Sequence, residues 1–377
     1  MKIKVLHIID VYLPETMIWL EKLLLLSTDI YEHHIHTDYL IRKVNSEFIQ
    51  ANHNQIIVAY PINTFDKISN KIRQFLKPNE VLNYIRVHHI DILHVHFGHL
   101  ALDYFDTIRN LKIPSVISFY GFDYERLPYL YPKIKLKYEA LGRLGCFFIV
   151  EGNYSKNLLH SYGITKERIK IVHMLYAHQY EYIQQSLARP IRFVQVATYT
   201  EKKGQDIFLE AIKTIDKPNL IVDFYGEIAN QQYYNKLQNL SKNLKHVQIR
   251  FHSKISFEQY KLILQQSDIA VNLSRRSKEF DTEGGCPVFV KDALWFGKPV
   301  FSTDHCDIPE IVVHGLNGWI AKEDSVESAS QVLSQILNLS ENEYRSYATN
   351  ALMSVNCNAK GQITLSDIIA CYNSMIR

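Results

Sequence analysis

Short apolar runs alternate with longer helical patterns twice over in this chain, and few folds accommodate that alternation. In the first half the strand candidates are "IKVLHII", "HNQIIVAY", "DILHVHF", "PSVISFY" and "CFFIV". In the second they are "IRFVQVA", "NLIVDFYG", "VQIRFHS", "DIAVNLS" and "KPVFSTD". Each is rich in β-branched or aromatic residues and is followed by a turn signal. Between them lie helical stretches such as "GQDIFLEAIKTI" and "SFEQYKLILQQ". The pattern predicts an α/β protein built on parallel sheets with crossover helices. A chain of 377 residues is too long for one core, so two domains are expected. The second set of strands restarts after "SLARP" (186–190), where Pro190 and the small residues mark a linker. Open sheets of this kind bind ligands beyond the carboxyl ends of their strands, and two facing sheets make a cleft.

Composition narrows the class further. At 47% hydrophobic and 21% charged residues the chain is neither disordered nor unusual for a globular protein. No apolar stretch reaches the roughly 18 residues that a membrane span requires. "VLHIIDVYLP" is interrupted by Asp10 and reads as a buried first strand rather than a leader. The five cysteines (Cys146, Cys286, Cys306, Cys357, Cys371) are odd in number and never fall in a CxxC spacing. That argues against a disulfide framework or a zinc ribbon and fits a reducing cytoplasm. A net charge of +3 is too small to announce nucleic acid, which is not expected as a partner. What excess there is lies in residues 1–190, with 22 Lys/Arg against 18 Asp/Glu.

One stretch, "EFDTEGGCPVFVKDALWFGKP" (279–299), combines features that suit a ligand. Pro287 fits the first turn of a helix, where its missing N–H would be unsatisfied anyway. Gly284 and Gly285 let the backbone approach a ligand, and the helix N-terminus behind them is an anion site. Asp292 follows five residues later, about 7.5 Å along the helix axis. Glu283 precedes the glycines. Lys203, at a strand-to-helix turn just before Gly204, is a point charge suited to an anionic group.

These residues resemble the GT-B retaining glycosyltransferases of family 4, particularly those that build bacterial exopolysaccharide, capsule and lipopolysaccharide. That family closes its donor site with an acid–Gly–x–Pro run leading into a helix that carries a second acid. It continues with A-x-x-x-G-x-P-V and P-E-x-V-x-x-G-x-N-G. Here the run reads "TEGGCPVFVKDALWFGKPV" and then "STDHCDIPEIVVHGLNGWIA". "YTEKKGQDIFLEAI" matches the family's lysine–glycine turn, and "DILHVHFG" and "SFYGFDYERLP" resemble its first-domain strand ends. The likeness is strong over about 190–325 and looser over 1–180.

The resemblance implies two Rossmann-like, doubly wound domains facing across a cleft. Residues 1–185 would bind the acceptor, with a helix at about 362–377 packing back on them, and 186–361 would bind a nucleotide-sugar donor. The implied activity is cytoplasmic transfer of a sugar, with retention, to a glycan or lipid-linked acceptor. No cofactor and no metal are implied. Glu283, Lys203 and Asp292 take the catalytic positions, with Glu283 facing the sugar and Asp292 the ribose. Thr198, Gly204, Arg275, Gly284, Gly285, Cys286 and Pro287 line the donor, and His96, Tyr120 and Asp123 lie on the acceptor side. The alternatives are a catalytically degenerate partner subunit of the same fold, or a phosphorylase or nucleotide-sugar epimerase.

The chain departs from the family pattern at several points. Ala197 and Thr198 stand where the family has Gly–Arg, so Arg275 or Arg276 would have to supply the phosphate-binding charge. Asp292 replaces a glutamate, and Tyr120–Gly121 replaces His–Gly. "VHHIDILHVHFGHL" holds five histidines, with His94 and His96 on one strand face, but no acidic or cysteine partner at metal-ligand spacing. Two basic stretches carry apolar residues among their lysines. "FDKISNKIRQFLKP" (65–78) spaces Ile68, Ile72, Phe75 and Leu76 on one helical face among Lys67, Lys71, Arg73 and Lys77. "PYLYPKIKLKY" (128–138) interleaves Tyr129, Tyr131 and Tyr138 with Lys133, Lys135 and Lys137. Both suit a peripheral seat on an anionic membrane, at the inner leaflet.

Overall fold

The computed structural model describes residues 2–12, 17–40, 46–52, 55–58, 67–173, 186–215, 218–244, 246–355 and 358–376. The chain divides into two compact units, Met1–Tyr176 with Gly361–Arg377, and Ala177–Lys360.

In the first unit the strands are β1 (Ile3–Tyr12), β2 (Tyr31–Leu40), β3 (Ile56–Val58), β4 (Ile92–His96), β5 (Ser115–Ser118), β6 (Phe147–Val150) and β7 (Ile169–Ile171). They pair in parallel in the order β3-β2-β1-β4-β5-β6-β7. The order reverses direction between β1 and β4, which makes their carboxyl ends the switch point where loops diverge and ligands bind. One layer of core, including Leu6, Leu93, Ile117, Phe148 and Tyr138, packs on one face. On the other, Val5, Ile9, Ile92 and Val116 meet Ile368 and Tyr372 of the helix Asn358–Ile376, so the end of the chain completes this unit.

β2 was not among the expected strands. Its sequence, "YEHHIHTDYL", looks polar, yet Tyr31, His33, His34, Ile35, His36 and Thr37 are all buried. A neutral imidazole whose nitrogens are both hydrogen-bonded is buried at little cost, and His33 and His34 enter the interior in that way.

The second unit holds β8 (Ile191–Val196), β9 (Leu220–Tyr225), β10 (Gln248–His252), β11 (Ile269–Asn272), β12 (Val300–Thr303) and β13 (Gly318–Ala321). They form a parallel sheet in the order β10-β9-β8-β11-β12-β13. The five strands expected in this half are all present; β13, four residues with a leading glycine, was not anticipated. Here the switch point falls between β8 and β11. The helix Gln205–Lys213 starts from the loop after β8 and buries Ile207, Phe208, Ala211 and Ile212 against the sheet. The helix Phe257–Gln266 opens on a capping box: Ser256 Oγ accepts from Gln259 N while the Gln259 side chain accepts from Ser256 N.

Candidate functional site

The loops after β8 and β11 touch at backbone level. Gly204 has φ 65°, and a Cβ there would lie 1.8 Å from the Leu273 carbonyl oxygen, so only glycine fits. Just ahead of it, Glu201–Lys203 form a single 3₁₀ turn whose Lys203 carbonyl accepts from Gln195 Nε2 at 2.8 Å. Thr198 contributes its carbonyl, which accepts from Gln205 Nε2 at 3.1 Å.

That contact brings two predicted site residues together across 80 positions of sequence. Lys203 Nζ donates to Glu283 Oε1 at 2.7 Å and Oε2 at 2.8 Å. Ser274 Oγ adds a hydrogen bond to Oε1 at 2.6 Å. Burial alone would raise the Glu283 carboxyl, but Lys203, Lys202 and the Ser274 hydroxyl outweigh it and hold the pKa down at about 2. Lys202 is tied separately, to the Thr282 carbonyl and to Asp281, both at 3.1 Å.

The backbone of Glu283 is fixed by a residue that sequence reasoning missed. Its N–H donates to His305 Nε2 at 3.1 Å, while His305 Nδ1 faces Glu323 Oε2 at 3.1 Å. The Nε2 acceptor role leaves the ring proton on Nδ1, where it donates to Glu323. His305 sits just after β12 in the stretch "STDHCDIPE", so its chain position marked it only as part of a motif.

After Glu283 the chain runs through Gly284 (φ 72°), Gly285 and the buried Cys286 to Pro287. Pro287 caps the helix Val288–Trp295, one residue ahead of its expected place in the first turn. Val290 N and Lys291 N donate to the Pro287 carbonyl at 3.0 and 3.3 Å, so Val288 and Phe289 supply the amides ahead of the helical ladder. Asp292 is buried on the same helix, and its Oδ2 accepts from Tyr260 Oη at 2.6 Å. Tyr260 belongs to the helix Phe257–Gln266 and carried no site signal in the sequence.

Arg275 follows a different course from the donor-facing role expected of it. Its Nη2 reaches Asp206 at 2.9 and 3.1 Å, Nη1 reaches Asp324 Oδ1 at 2.7 Å, and Nε donates to the Glu201 carbonyl at 3.2 Å. The guanidinium is spent on holding the Glu201–Lys203 turn and the start of the next helix. Arg276 is exposed, and its N–H donates to Glu323 Oε1 at 2.7 Å.

In the first unit the three acceptor-side candidates also meet. Tyr120 Oη lies 2.8 Å from His96 Nδ1, and Asp123 braces the loops after β4 and β5 by accepting from Gly98 N at 2.7 Å and Tyr120 N at 3.0 Å. Burial raises the Asp123 carboxyl to about 6 despite these hydrogen bonds, which favour the anion. His96 and Asp123 are fully buried; Tyr120 is half-buried, its ring centre 5.1 Å from that of Trp19 at a tilt of 35° and 4.8 Å from that of Phe97, edge to face.

Behind Tyr120 runs a chain of histidines. His96 Nε2 lies 3.0 Å from His7 Nδ1, His7 Nε2 lies 3.0 Å from His33 Nδ1, and His33 Nε2 lies 2.8 Å from Ser27 Oγ. Ser27 spends its only proton on the Leu23 carbonyl at 2.6 Å, so it accepts from His33. Each ring then has one assignment: Nε2 donates, Nδ1 accepts, and Tyr120 donates to His96. His94 is satisfied separately by Tyr372 Oη at 2.6 Å and Ser118 Oγ at 2.8 Å. Burial, with neighbouring imidazoles adding to it, lowers all four, His33 and His94 to about 3 and His7 and His96 well below the usual range. Nitrogens of His7, His94 and His96 lie within 4.8 Å of one another. Both nitrogens of all three rings are already hydrogen-bonded, so the cluster does not fit a metal site.

Comparison with known proteins agrees on one class. Residues 181–353 match the family model described as glycosyl transferases group 1, and residues 32–174 match glycosyltransferase family 4. The amylovoran biosynthesis glycosyltransferase AmsK of Erwinia amylovora is 26% identical over 262 residues, covering 67% of this chain and 62% of that protein. The putative colanic acid biosynthesis glycosyltransferase WcaL of Salmonella typhimurium is 27% identical over 277 residues, covering 69% and 65%. The match thus spans less than two thirds of these relatives' own length. Among solved structures, a glycosyltransferase from Rickettsia africae superposes with a TM-score of 0.74 at 14% identity, covering 100% of this chain and 99% of that one. Anabaena HepE, solved with UDP and glucose, gives 0.74 at 14% identity, covering 99% and 100%. At that identity the likeness speaks for the fold.

Proposed function

The chain belongs to the family 4 type of GT-B glycosyltransferases, and from that premise we propose that it moves a sugar, with retention, from a nucleotide-sugar donor to a glycan or lipid-linked acceptor in bacterial surface polysaccharide synthesis. The observation that carries the reading is the Lys203–Glu283 pair at the switch point of the second unit, beside the amino end of the helix Val288–Trp295. A lysine and a row of helix amides are what a departing nucleoside diphosphate needs. Glu283 is held ionised and oriented, ready to accept hydrogen bonds from sugar hydroxyls. Asp292, five residues into the helix, takes the ribose, with Tyr260 fixing its carboxylate. The charge falls to Lys203 and the amides, and no divalent cation is assigned a part. Family resemblance supplies the remaining step, in which the leaving phosphate oxygen takes the acceptor's proton.

The acceptor is assigned to the first unit. A surface there supports a lipid-linked one. Phe122, Tyr129, Leu130, Tyr131 and Leu136 are 42–65% exposed, and Lys133 and Lys137 are exposed among them. A cluster of large apolar side chains interleaved with lysines suits an anionic bilayer surface. Lys135 is drawn aside, its ammonium 4.7 Å from the Tyr162 ring centre. The other stretch singled out, 65–78, enters the helix Lys67–His88, but its side chains up to residue 77 lie outside the described residues. No helix among the described residues is long and apolar enough to cross a membrane.

The test is a thermal-shift screen of nucleotide sugars, beginning with UDP-sugars because HepE was solved with UDP, followed by donor hydrolysis without acceptor. Binding raises the melting temperature by mass action. Binding with turnover supports the enzyme; binding without turnover supports the inert partner subunit that the engaged Arg275 would suit. A chain that binds no nucleotide sugar overturns the reading.

A further inference from the structure

At the amino ends of β5, β6 and β7, on the edge of the sheet away from the carboxyl ends, lies a cavity of about 560 Å³. It is bounded by the segments that lead into those three strands and by Ser374 and Met375 of the last helix. That volume falls in the range of roughly 300–1,000 Å³ typical of small-molecule sites.

Three cations line it, from two segments: Lys112 ahead of β5, and Arg168 and Lys170 at the entry to β7. Only one lining residue, Glu167, is acidic. Phe147 organises two of the three. The Arg168 guanidinium lies 4.7 Å and the Lys170 ammonium 5.5 Å from its ring centre, so their charges are held close together. Arg168 Nη1 donates to the Gly145 carbonyl at 2.8 Å, which aims the rest of the fork. Among the described residues, the ammonium groups of Lys112 and Lys170 meet no carboxylate. Positive charges gathered without counter-charge repel one another within about a Debye length, roughly 8–10 Å. An anion relieves that repulsion.

We propose that this cavity binds a phosphate or diphosphate group. Two ammonium point charges and a guanidinium fork approaching from different sides suit a compact oxyanion of charge −2 or more better than a single carboxylate. The apolar wall of Ile113, Pro114, Leu144 and Met375 leaves room for a carbon skeleton beyond it. The proposal is independent of the transferase reading, because it concerns other residues at the opposite strand ends.

Inorganic pyrophosphate is the probe, titrated by calorimetry at fixed ionic strength into the Lys203→Ala chain, in which the other anion-binding lysine is gone. One-to-one binding should persist there and weaken at least about tenfold when Lys112→Glu and Lys170→Glu are added. Loss of binding in Lys203→Ala alone, or unchanged affinity in the triple variant, overturns the site. The wild-type chain checks this without Lys203→Ala: the two charge reversals should remove one site from its stoichiometry, and an unchanged stoichiometry also overturns the proposal. Dihexanoyl phosphatidic acid separates the sources. Binding about tenfold tighter than pyrophosphate supports a lipid phosphate, and weaker binding supports a free phosphorylated metabolite.

Discussion

Lys203 Nζ bridges both carboxylate oxygens of Glu283, at 2.7 and 2.8 Å, while Ser274 Oγ donates to one of them at 2.6 Å. On the proposed donor reading, a diphosphate that engages Lys203 competes with Glu283 for its ammonium group. Lys203→Ala should lower turnover by about one to three orders of magnitude, as when a charge-stabilising group is removed. It should also destabilise the fold, because Glu283 is then a buried carboxylate without its partner. Glu283→Gln should lower turnover more than donor affinity. The double variant Lys203→Met, Glu283→Gln should recover stability without activity. Steady-state kinetics alongside urea unfolding checks all three, and wild-type turnover in Lys203→Ala would sink the assignment.

Asp292 and Tyr260 form the second test. Asp292→Asn should raise the donor KM with a smaller change in kcat, since a ribose contact exists in the ground state as well. Tyr260→Phe removes only the 2.6 Å hydrogen bond that orients the carboxylate and should shift KM the same way by less. Nucleotide affinity measured by calorimetry decides it; equal affinities across the set would remove Asp292 from the donor site.

Arg275 and Arg276 are neighbours with opposite burdens. Arg275→Ala leaves Asp206 only Lys236 at 2.7 Å and Tyr233 at 2.8 Å, frees the Glu201–Lys203 turn, and should destabilise the fold by less than the about 3–5 kcal/mol of a buried pair broken outright. Arg275→Lys should rescue little, since one ammonium cannot span Asp206, Asp324 and the Glu201 carbonyl. Arg276→Ala, at an exposed position, should stay within about 0.5 kcal/mol. Chemical denaturation midpoints separate them.

The histidine cluster makes the protein acid-sensitive. His7, His33, His94 and His96 have folded pKa values below the ordinary 6.5, so they are neutral in both states above that pH and cost nothing. Below it the unfolded chain takes up protons that the folded chain refuses, and stability falls as pH drops towards about 3. Asp123 works the other way: its folded pKa of about 6 exceeds its ordinary value, so acid favours the folded state there and offsets one of the four. Near pH 5 the four imidazoles outweigh the single carboxyl, so the net effect of acid is destabilising. Urea midpoints at pH 7, 6 and 5 should drop steeply. Glu283, at about 2, contributes only below roughly 4.5. A flat profile between pH 7 and 5 would contradict the neutral cluster.

On the surface, the wild-type protein should sediment with anionic vesicles at low salt and be released at high salt. Lys133→Glu with Lys137→Glu should weaken that binding, by about 1 kcal/mol for each lysine lost near the surface and more for the reversal. A wild-type chain that stays in the supernatant at low salt would favour a soluble acceptor.

What the sequence made legible follows from the range of the interactions. The runs that became β11 and β12 are apolar, so burial on both faces was written locally, and the alternation of β9 was legible in the same way. β2 was hidden because His33 and His34 count as polar until their distant partners, His7 on β1 and Tyr84 on the helix Lys67–His88, and the nearby Ser27 are known. Lys203, Gly204 and Glu283 stood out because a lysine–glycine turn and an acid ahead of two glycines are local patterns; the contacts that join them, across 69 and 80 positions, were not visible there. The inward course of Arg275 could not, since Asp206 and Asp324 lie 69 and 49 residues away. His305 and Tyr260 act through long-range contacts of the same kind and left no local trace.

The single hydrogen of Ser27 gives the core of the first unit a sense of direction. Four links, from Tyr120 to Ser27, all point one way because the last acceptor has nothing left to give. The hydroxyl of Tyr120 is thereby turned inward, towards His96. Take the serine away and either orientation of the row becomes admissible. A core ordered in its heavy atoms would then be two-fold degenerate in its protons, and nitrogen-15 spectra of the imidazoles would show a mixture where the intact row gives one tautomer.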